Sequence, residues 1–69
     1  MDPNGNLEEQ RRLADVIRDA AGAGPMSRAE VDAFIERAAR LAELVEAMDE
    51  WLSRQGFLPA SWAVGRKTP

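Results

Sequence analysis

Four acidic residues lie close together in the second half of the chain, namely Glu43, Glu46, Asp49 and Glu50. Carboxylates at this spacing can exchange protons with a substrate or bind a divalent cation. Glu46 and Glu50, however, fall away from the apolar side of the helix predicted here, and Glu50 stands four residues before Arg54, the spacing of a helical ion pair. Asp49 falls nearer the apolar side. The pattern favours a solvated acidic face, in which Asp49 is the member best suited to an interface contact.

The chain lacks the partners that nucleophilic catalysis requires. It contains neither histidine nor cysteine, so the common general base, the thiol nucleophile and the usual zinc and copper ligands are all missing. The serines fall at a helix start (Ser27), in a last helical turn (Ser53) and in a C-terminal segment (Ser61). The Gly-rich segment 22–25 lacks the lysine of a phosphate-binding loop. We therefore predict no catalytic residue, no metal and no cofactor, and a chain that is not an enzyme.

The basic residues do not favour nucleic-acid binding. The formal net charge is −3, the wrong sign for general binding of phosphate backbones. Arg37 and Arg40 stand among glutamates, so we interpret them as stabilising partners within a helix. A DNA-binding helix-turn-helix also needs a short, basic second helix, whereas the second helix predicted here is long and acidic in its later half. A nucleic-acid binder using Arg66 and Lys67 beside Trp62 is kept as a third alternative.

The first helix is predicted over about residues 7–21. Asn6 followed by Glu9 has the spacing of a capping box, in which each side chain bonds to the backbone N–H of the other residue. Gly-Ala-Gly-Pro at 22–25 ends the helix, because glycine suits a left-handed cap and Pro25 cannot donate a helical hydrogen bond. A second capping box, Ser27 with Glu30, follows directly. The two capping boxes on either side of one break predict a helical hairpin.

The second helix is predicted over about residues 28–54 and carries an apolar pattern of the coiled-coil kind. Its seam advances in alternating steps of three and four through Val31, Phe34, Ala38, Leu41, Val45, Met48 and Leu52. The face is widened by Ile35, Ala42, Leu44 and Trp51. This spacing is typical of an ordinary core stripe and of a seam for a second copy. The first helix spans about 22–24 Å against about 40 Å for the second, so we expect it to leave the later half uncovered.

The segment Asp49–Trp62, DEWLSRQGFLPASW, holds both tryptophans of the chain. Gly56 stands where a helix-ending glycine belongs, and the next residue often packs back onto the last turn. We call the segment from Gly56 onward the aromatic arm and expect it to cover the end of the second helix, either its own or a neighbour's. The predicted interface residues are Leu44, Met48, Trp51, Leu52, Phe57, Leu58 and Trp62. Replacing Trp62 by alanine should weaken stability or association.

Two stretches, DPNGNLEEQRRLADVI and LAELVEAMDEWLSRQGFLPASW, resemble those of a group of very short helical proteins of actinobacteria and their bacteriophages. The shared features are an Asp-Pro-Asn start, an acid-Trp-Leu helix end, Gly-Phe-Leu-Pro and a second tryptophan. They fall on Asp2, Pro3, Asn4, Leu7, Asp49, Trp51, Leu52, Gly56, Phe57, Leu58, Pro59 and Trp62. Members of the group have a further glycine at the position of Gln55. The resemblance implies a bacterial or phage setting and no particular activity.

These observations predict an all-α fold, an antiparallel helical hairpin with a C-terminal aromatic arm, completed by oligomerisation. Residues 1–65 would form one domain and residues 66–69 a disordered tail. The predicted function is a non-enzymatic interaction module that self-associates through the later half of helix 2 and the arm. The alternative is a small adaptor or inhibitor that docks onto a host or phage protein. With no signal peptide and no membrane span in the sequence, we expect a bacterial cytoplasmic protein that binds neither membranes nor nucleic acid.

Overall fold

The structure is a computed structural model that describes residues 1–63. It contains α1 (Pro3–Gly22), α2 (Arg28–Ser53) and the short α3 (Ala60–Ala63). The two long helices pack against each other along the hairpin, and the described residues contain no strand. The predicted all-α helical hairpin is therefore confirmed. The predicted disordered tail, residues 66–69, lies outside the described residues.

Helix α1 begins four residues earlier than predicted. Its N-cap is Asp2, whose carboxylate accepts a hydrogen bond of 3.1 Å from the backbone N–H of Asn4, and Pro3 follows in the first turn. Asn6 lies inside the helix, so the capping box predicted from Asn6 and Glu9 is wrong. The physical reason is that Asp-Pro is itself a strong helix start. A carboxylate caps free N–H groups, and proline loses nothing at a position where its missing N–H has no helical partner.

The longer α1 covers more of α2 than the sequence suggested. Its 20 residues span about 30 Å at 1.5 Å per residue, and the amide of Asn6 donates a 2.9 Å hydrogen bond to the carbonyl oxygen of Leu44. Leu7, Leu44 and Met48 are buried. The expectation that the later half of α2 lies beyond the reach of the first helix is therefore wrong, because it rested on the late start assigned to that helix.

The hairpin turn follows the sequence closely. α1 ends at Gly22, and Gly24 takes a left-handed backbone with φ of 93° just before Pro25. The capping box of α2 is confirmed, since the Ser27 hydroxyl accepts from the N–H of Glu30 at 3.2 Å and the Glu30 carboxylate accepts from the N–H of Ser27 at 2.9 Å. This reciprocal pair fixes where the second helix starts.

The end of α2 is closed by two backbone hydrogen bonds in the Schellman arrangement. The N–H of Gly56 donates to the Trp51 carbonyl at 2.9 Å, and the N–H of Gln55 donates to the Leu52 carbonyl at 3.0 Å. The left-handed residue that this closure requires is Gln55, with φ of 65°. The sequence predicts Gly56 as the helix-ending glycine, but the left-handed position lies one residue earlier. Gly56 is needed for a different reason, its close approach to Trp51.

Candidate interaction surface

Residues 57–60 of the aromatic arm bond to α1 and α2 of the same chain. The indole N–H of Trp51 donates a 2.9 Å hydrogen bond to the carbonyl oxygen of Phe57, and the N–H of Ala60 donates a 2.6 Å hydrogen bond to the side-chain oxygen of Asn4. Pro3, which precedes Asn4, and Pro59, which precedes Ala60, are both fully buried. The sequence allowed the arm to cover either its own chain or a neighbouring one. In the structure residues 57–60 of the arm lie against the first turn of α1 and the end of α2 of their own chain.

Trp51 and Phe57 form the aromatic contact of this end. Their ring centroids are 5.3 Å apart and their planes meet at 88°, an edge-to-face pair, which is a favourable geometry for aromatic quadrupoles. Phe57 nevertheless remains 63% exposed. One side of its ring is held against the tryptophan, and the rest faces solvent.

The seven predicted interface residues fall into three groups. Leu44 and Met48 are buried within the single chain, where Asn6 of α1 bonds to the Leu44 carbonyl, and neither is left open for a partner. Half-buried positions are occupied by Trp51, Leu52 and Leu58. Only Phe57 and Trp62 are exposed, so these two are the members of the predicted set that another molecule can reach most easily.

The predicted heptad seam of α2 divides into two stripes. One contains Phe34, Leu41 and Met48, which are half-buried or buried. The other, which we call the outer stripe, is exposed and advances in steps of four and three through Val31, Ile35, Ala38, Ala42 and Val45. Steps that average 3.5 residues keep side chains on one side of a helix. The sequence signal for the outer stripe was present, since Ile35 and Ala42 widened the predicted face, but spacing alone did not show which stripe α1 would cover.

The outer stripe contains large exposed apolar side chains. Ile35 is 58% exposed, Val45 is 49% exposed and Val31 is 40% exposed. Ala38 and Ala42, at its centre, present only methyl groups to solvent. Arg28 stands three residues before Val31 and Asp49 four residues after Val45. The stripe is therefore apolar along its length, with a cation near one end and an anion near the other.

Arg40 and Glu9 link the two helices. The guanidinium of Arg40 donates to both carboxylate oxygens of Glu9, at 2.9 and 3.0 Å. This hydrogen bonding lowers the pKa of Glu9 and raises the pKa of Arg40. The sequence predicts partners for Arg40 within its own helix, whereas in the structure Arg40 pairs with Glu9 of α1. The Glu30 carboxylate also has a lowered pKa. The main cause is the hydrogen bond from the backbone N–H of Ser27, and the Ser27 hydroxyl adds a smaller effect.

The four neighbouring acidic residues of α2 lie on its surface. Glu43, Glu46, Asp49 and Glu50 are all exposed, and Glu50 pairs with Arg54 at 2.6 Å. Over residues 1–63, no group of three or more acidic side chains is placed to hold a metal ion. In the same part of the chain, no charged or polar side chain is buried.

A groove lies at the hairpin turn, at the opposite end of α2 from the aromatic arm. Its volume is about 360 Å³, and it is lined mainly by small and apolar side chains together with Glu30 and Arg37. The Glu30 carboxylate is already engaged by the N–H of Ser27. The outer stripe and the exposed aromatics are therefore better candidates for a binding surface than this groove.

The chain was compared with models of protein families, with curated proteins and with solved structures, and no match was found in any of the three. Among the helices of residues 1–63, none combines the length and the apolar character needed to cross a membrane. The functional interpretation therefore rests on the surface of the hairpin itself.

Proposed function

We propose that the protein is a non-enzymatic interaction module that self-associates through α2. The observation that carries this proposal is the outer stripe. Within residues 1–63 three large apolar side chains are buried, whereas Val31, Ile35 and Val45 on one side of one helix are 40–58% exposed. Exposed apolar side chains scattered singly are ordinary, but a contiguous row marks an interaction site.

The architecture supports the same proposal. A helix with apolar residues on two sides needs a neighbour on each of them. α1 supplies one neighbour for α2, and a second hairpin would supply the other, giving a four-helix arrangement. A chain of 69 residues without cysteine also has neither the size nor the disulfides that usually stabilise small domains, so association is a natural source of added stability.

The surface proposed here differs from the one expected from the sequence. Leu44 and Met48 are enclosed by their own hairpin and are not available to a partner. The outer stripe runs through Val31 and Ile35 as well as Val45, so it extends over the first half of α2 and into the second. What is retained from the sequence is self-association through α2.

Measuring the mass in solution over a concentration series tests the proposal. We expect twice the monomer mass of 7.6 kDa at high concentration and dissociation on dilution. Ile35→Lys should shift the protein to monomer, because a charge would replace the most exposed large apolar side chain of the stripe. Val16→Lys is the matched control, since Val16 is an exposed apolar residue of α1 outside the stripe, and it should leave the mass unchanged. A wild-type chain that stays monomeric at high micromolar concentration would overturn the proposal.

A second candidate function is an adaptor or inhibitor that docks onto a host or phage protein through the aromatic arm. The observation that favours it is the exposure of Phe57 and Trp62, since aromatic residues are enriched at the centres of interfaces. Phe57→Ser should then abolish binding to a protein partner that wild type and Phe57→Leu both retain, without changing the mass in solution. The nucleic-acid alternative depends on Arg66 and Lys67, which lie outside the described residues, and stays a prediction.

A further inference from the structure

We propose that the partner of the outer stripe is the same stripe of a second copy, running antiparallel, with Ile35 of each copy opposite Val45 of the other. This inference rests on the proposed function and adds the direction and register of the pairing. It is drawn from the order of the side chains along α2 and from the charges at the two ends of the stripe.

The charges at its ends set the direction. Arg28 and Asp49 continue the stripe by one further step at its beginning and end, and both are exposed. In a parallel pairing each Asp49 would lie beside the Asp49 of the other copy, and each Arg28 beside the other Arg28. Like charges held together at an interface are unfavourable, whereas opposite charges select a partner orientation. An antiparallel pairing brings Arg28 of one copy within one helical turn of Asp49 of the other, close enough for the long arginine side chain to reach the carboxylate, twice by symmetry.

The sizes of the apolar side chains set the register. When Ala38 lies opposite Ala42 of the other copy, Ile35 lies opposite Val45 and Val31 lies opposite Asp49, so all five positions of the stripe fall within the contact. Sliding one copy by a heptad would place Ile35 opposite Ala38 and Val31 opposite Ala42, so that no two large apolar side chains of the stripe would face each other. The central alanines also permit an interaxial distance near the lower end of the range of about 8–10 Å.

The sequence makes a direct test possible, because the chain contains no cysteine. We would prepare full-length Ile35→Cys and Val45→Cys, oxidise each alone and in an equal mixture in a glutathione buffer, and determine the masses of the products. In the antiparallel register the mixture should give the mixed dimer, linked between positions 35 and 45, at about tenfold excess over either homodimer, because pairing raises the local concentration of the two thiols. Each variant alone should remain largely unlinked. Two copies of position 35 would be about 15 Å apart along the axis, whereas disulfide-bonded α-carbons lie within about 7 Å.

The outcomes separate this inference from the proposed function. Homodimeric disulfides from each variant alone, with none in excess in the mixture, would show parallel pairing and overturn the antiparallel register while leaving self-association in place. A dimeric mass without any of these disulfides would overturn the proposed register, and a dimeric mass for Ile35→Lys would overturn the outer stripe as the contact. A monomeric mass would overturn the proposed function itself. A mixture of Val16→Cys with Ile35→Cys controls for random oxidation and should give no excess of the mixed product.

Charge reversal provides an independent readout. Arg28→Glu and Asp49→Arg should each weaken the dimer by about tenfold, since each change places like charges together at two symmetric points. The double variant should restore the affinity, because it exchanges the two signs. Arg28→Glu introduces an acid at the first position of α2, where the helix dipole favours it, so loss of association would not reflect loss of the helix. Arg12→Glu makes the same change in net charge on α1 and should leave the dimer intact. If the double variant bound no better than either single variant, the proposed pairing would be wrong.

Discussion

Gly56 lies against the indole ring of Trp51, so closely that a β-carbon at position 56 would overlap the ring at Cε2. The same tryptophan donates its indole N–H to the Phe57 carbonyl and accepts, through its own carbonyl, the N–H of Gly56. The reversal of the chain at the end of α2 is therefore built around one tryptophan ring, and it leaves no room for a side chain at the glycine.

The first prediction concerns this contact. Gly56→Ala should lower the free energy of unfolding by about 1–3 kcal/mol, the usual cost of forcing an extra carbon into a packed site. Urea denaturation measures the change. Gly22→Ala is the control, since no atom lies within 4 Å of the β-carbon it adds at the last residue of α1. A Gly56→Ala protein as stable as wild type would show that the ring does not pack as described.

The second prediction concerns Gln55, the residue before Gly56. Gln55 holds a left-handed backbone with φ of 65°, which costs a residue other than glycine about 1–2 kcal/mol. Because glycine has more conformational entropy to lose on folding, Gln55→Gly should give a net gain of about 0.5–1 kcal/mol. Thermal unfolding should then shift upward by a few degrees, at roughly 4–8 °C per kcal/mol for a domain of this size. Gln55→Ala keeps the strained backbone and should bring no such gain.

The third prediction separates two asparagines of α1. Asn6 donates its amide N–H to the Leu44 carbonyl, whereas Asn4 accepts from the N–H of Ala60. Asn6→Asp removes the donor and should cost about 1 kcal/mol or more, since a carboxylate would face a carbonyl oxygen. Asn4→Asp keeps an acceptor in place and should be close to neutral. Equal stabilities of the two variants would indicate that the bond from Asn6 does not hold α1 against α2.

The fourth prediction is the pH dependence of stability. Glu9 and Glu30 have lowered pKa values in the folded protein, so each binds its proton less readily there than in the unfolded chain. The stability they contribute is complete above the ordinary glutamate pKa of about 4.3. It is lost as the pH falls through the lowered folded values. The urea midpoint should fall on acidification, and Glu9→Gln/Glu30→Gln should show a shallower fall. An identical pH profile for that variant would contradict the assignment.

The hairpin could be predicted from the sequence because its turn is determined locally. Ser27, Glu30 and the Gly-Pro break lie within a few residues of one another, and their hydrogen bonds need nothing from the rest of the chain. The start of α1 was predicted wrongly because two start signals overlap. Asp2-Pro3 and Asn6-Glu9 both match helix-start chemistry, and tertiary contacts from Asn6 and Glu9 to α2 make the earlier start the one that forms.

The interaction surface was harder to predict for a related reason. The apolar spacing of α2 shows that the helix has a broad apolar face, but not which part α1 will cover. The early start of α1 brings Asn6 to Leu44, and this sets which stripe is buried. The outer stripe is what remains, so its identification depends on a contact between residues 38 positions apart, which no local pattern contains.

The bond between Asn4 and Ala60 joins positions that are 56 residues apart. It links the first turn of α1 to the arm beyond α2. Chain ends usually fray, but here the N-terminal turn and the arm are hydrogen-bonded to each other. Neither can open without breaking the shared contact. Amide hydrogen exchange at Asn6, Leu7 and Ala60 should then be slowed together, and to a similar extent as at Leu44. These amides would exchange mainly through global unfolding and not through local opening of the ends.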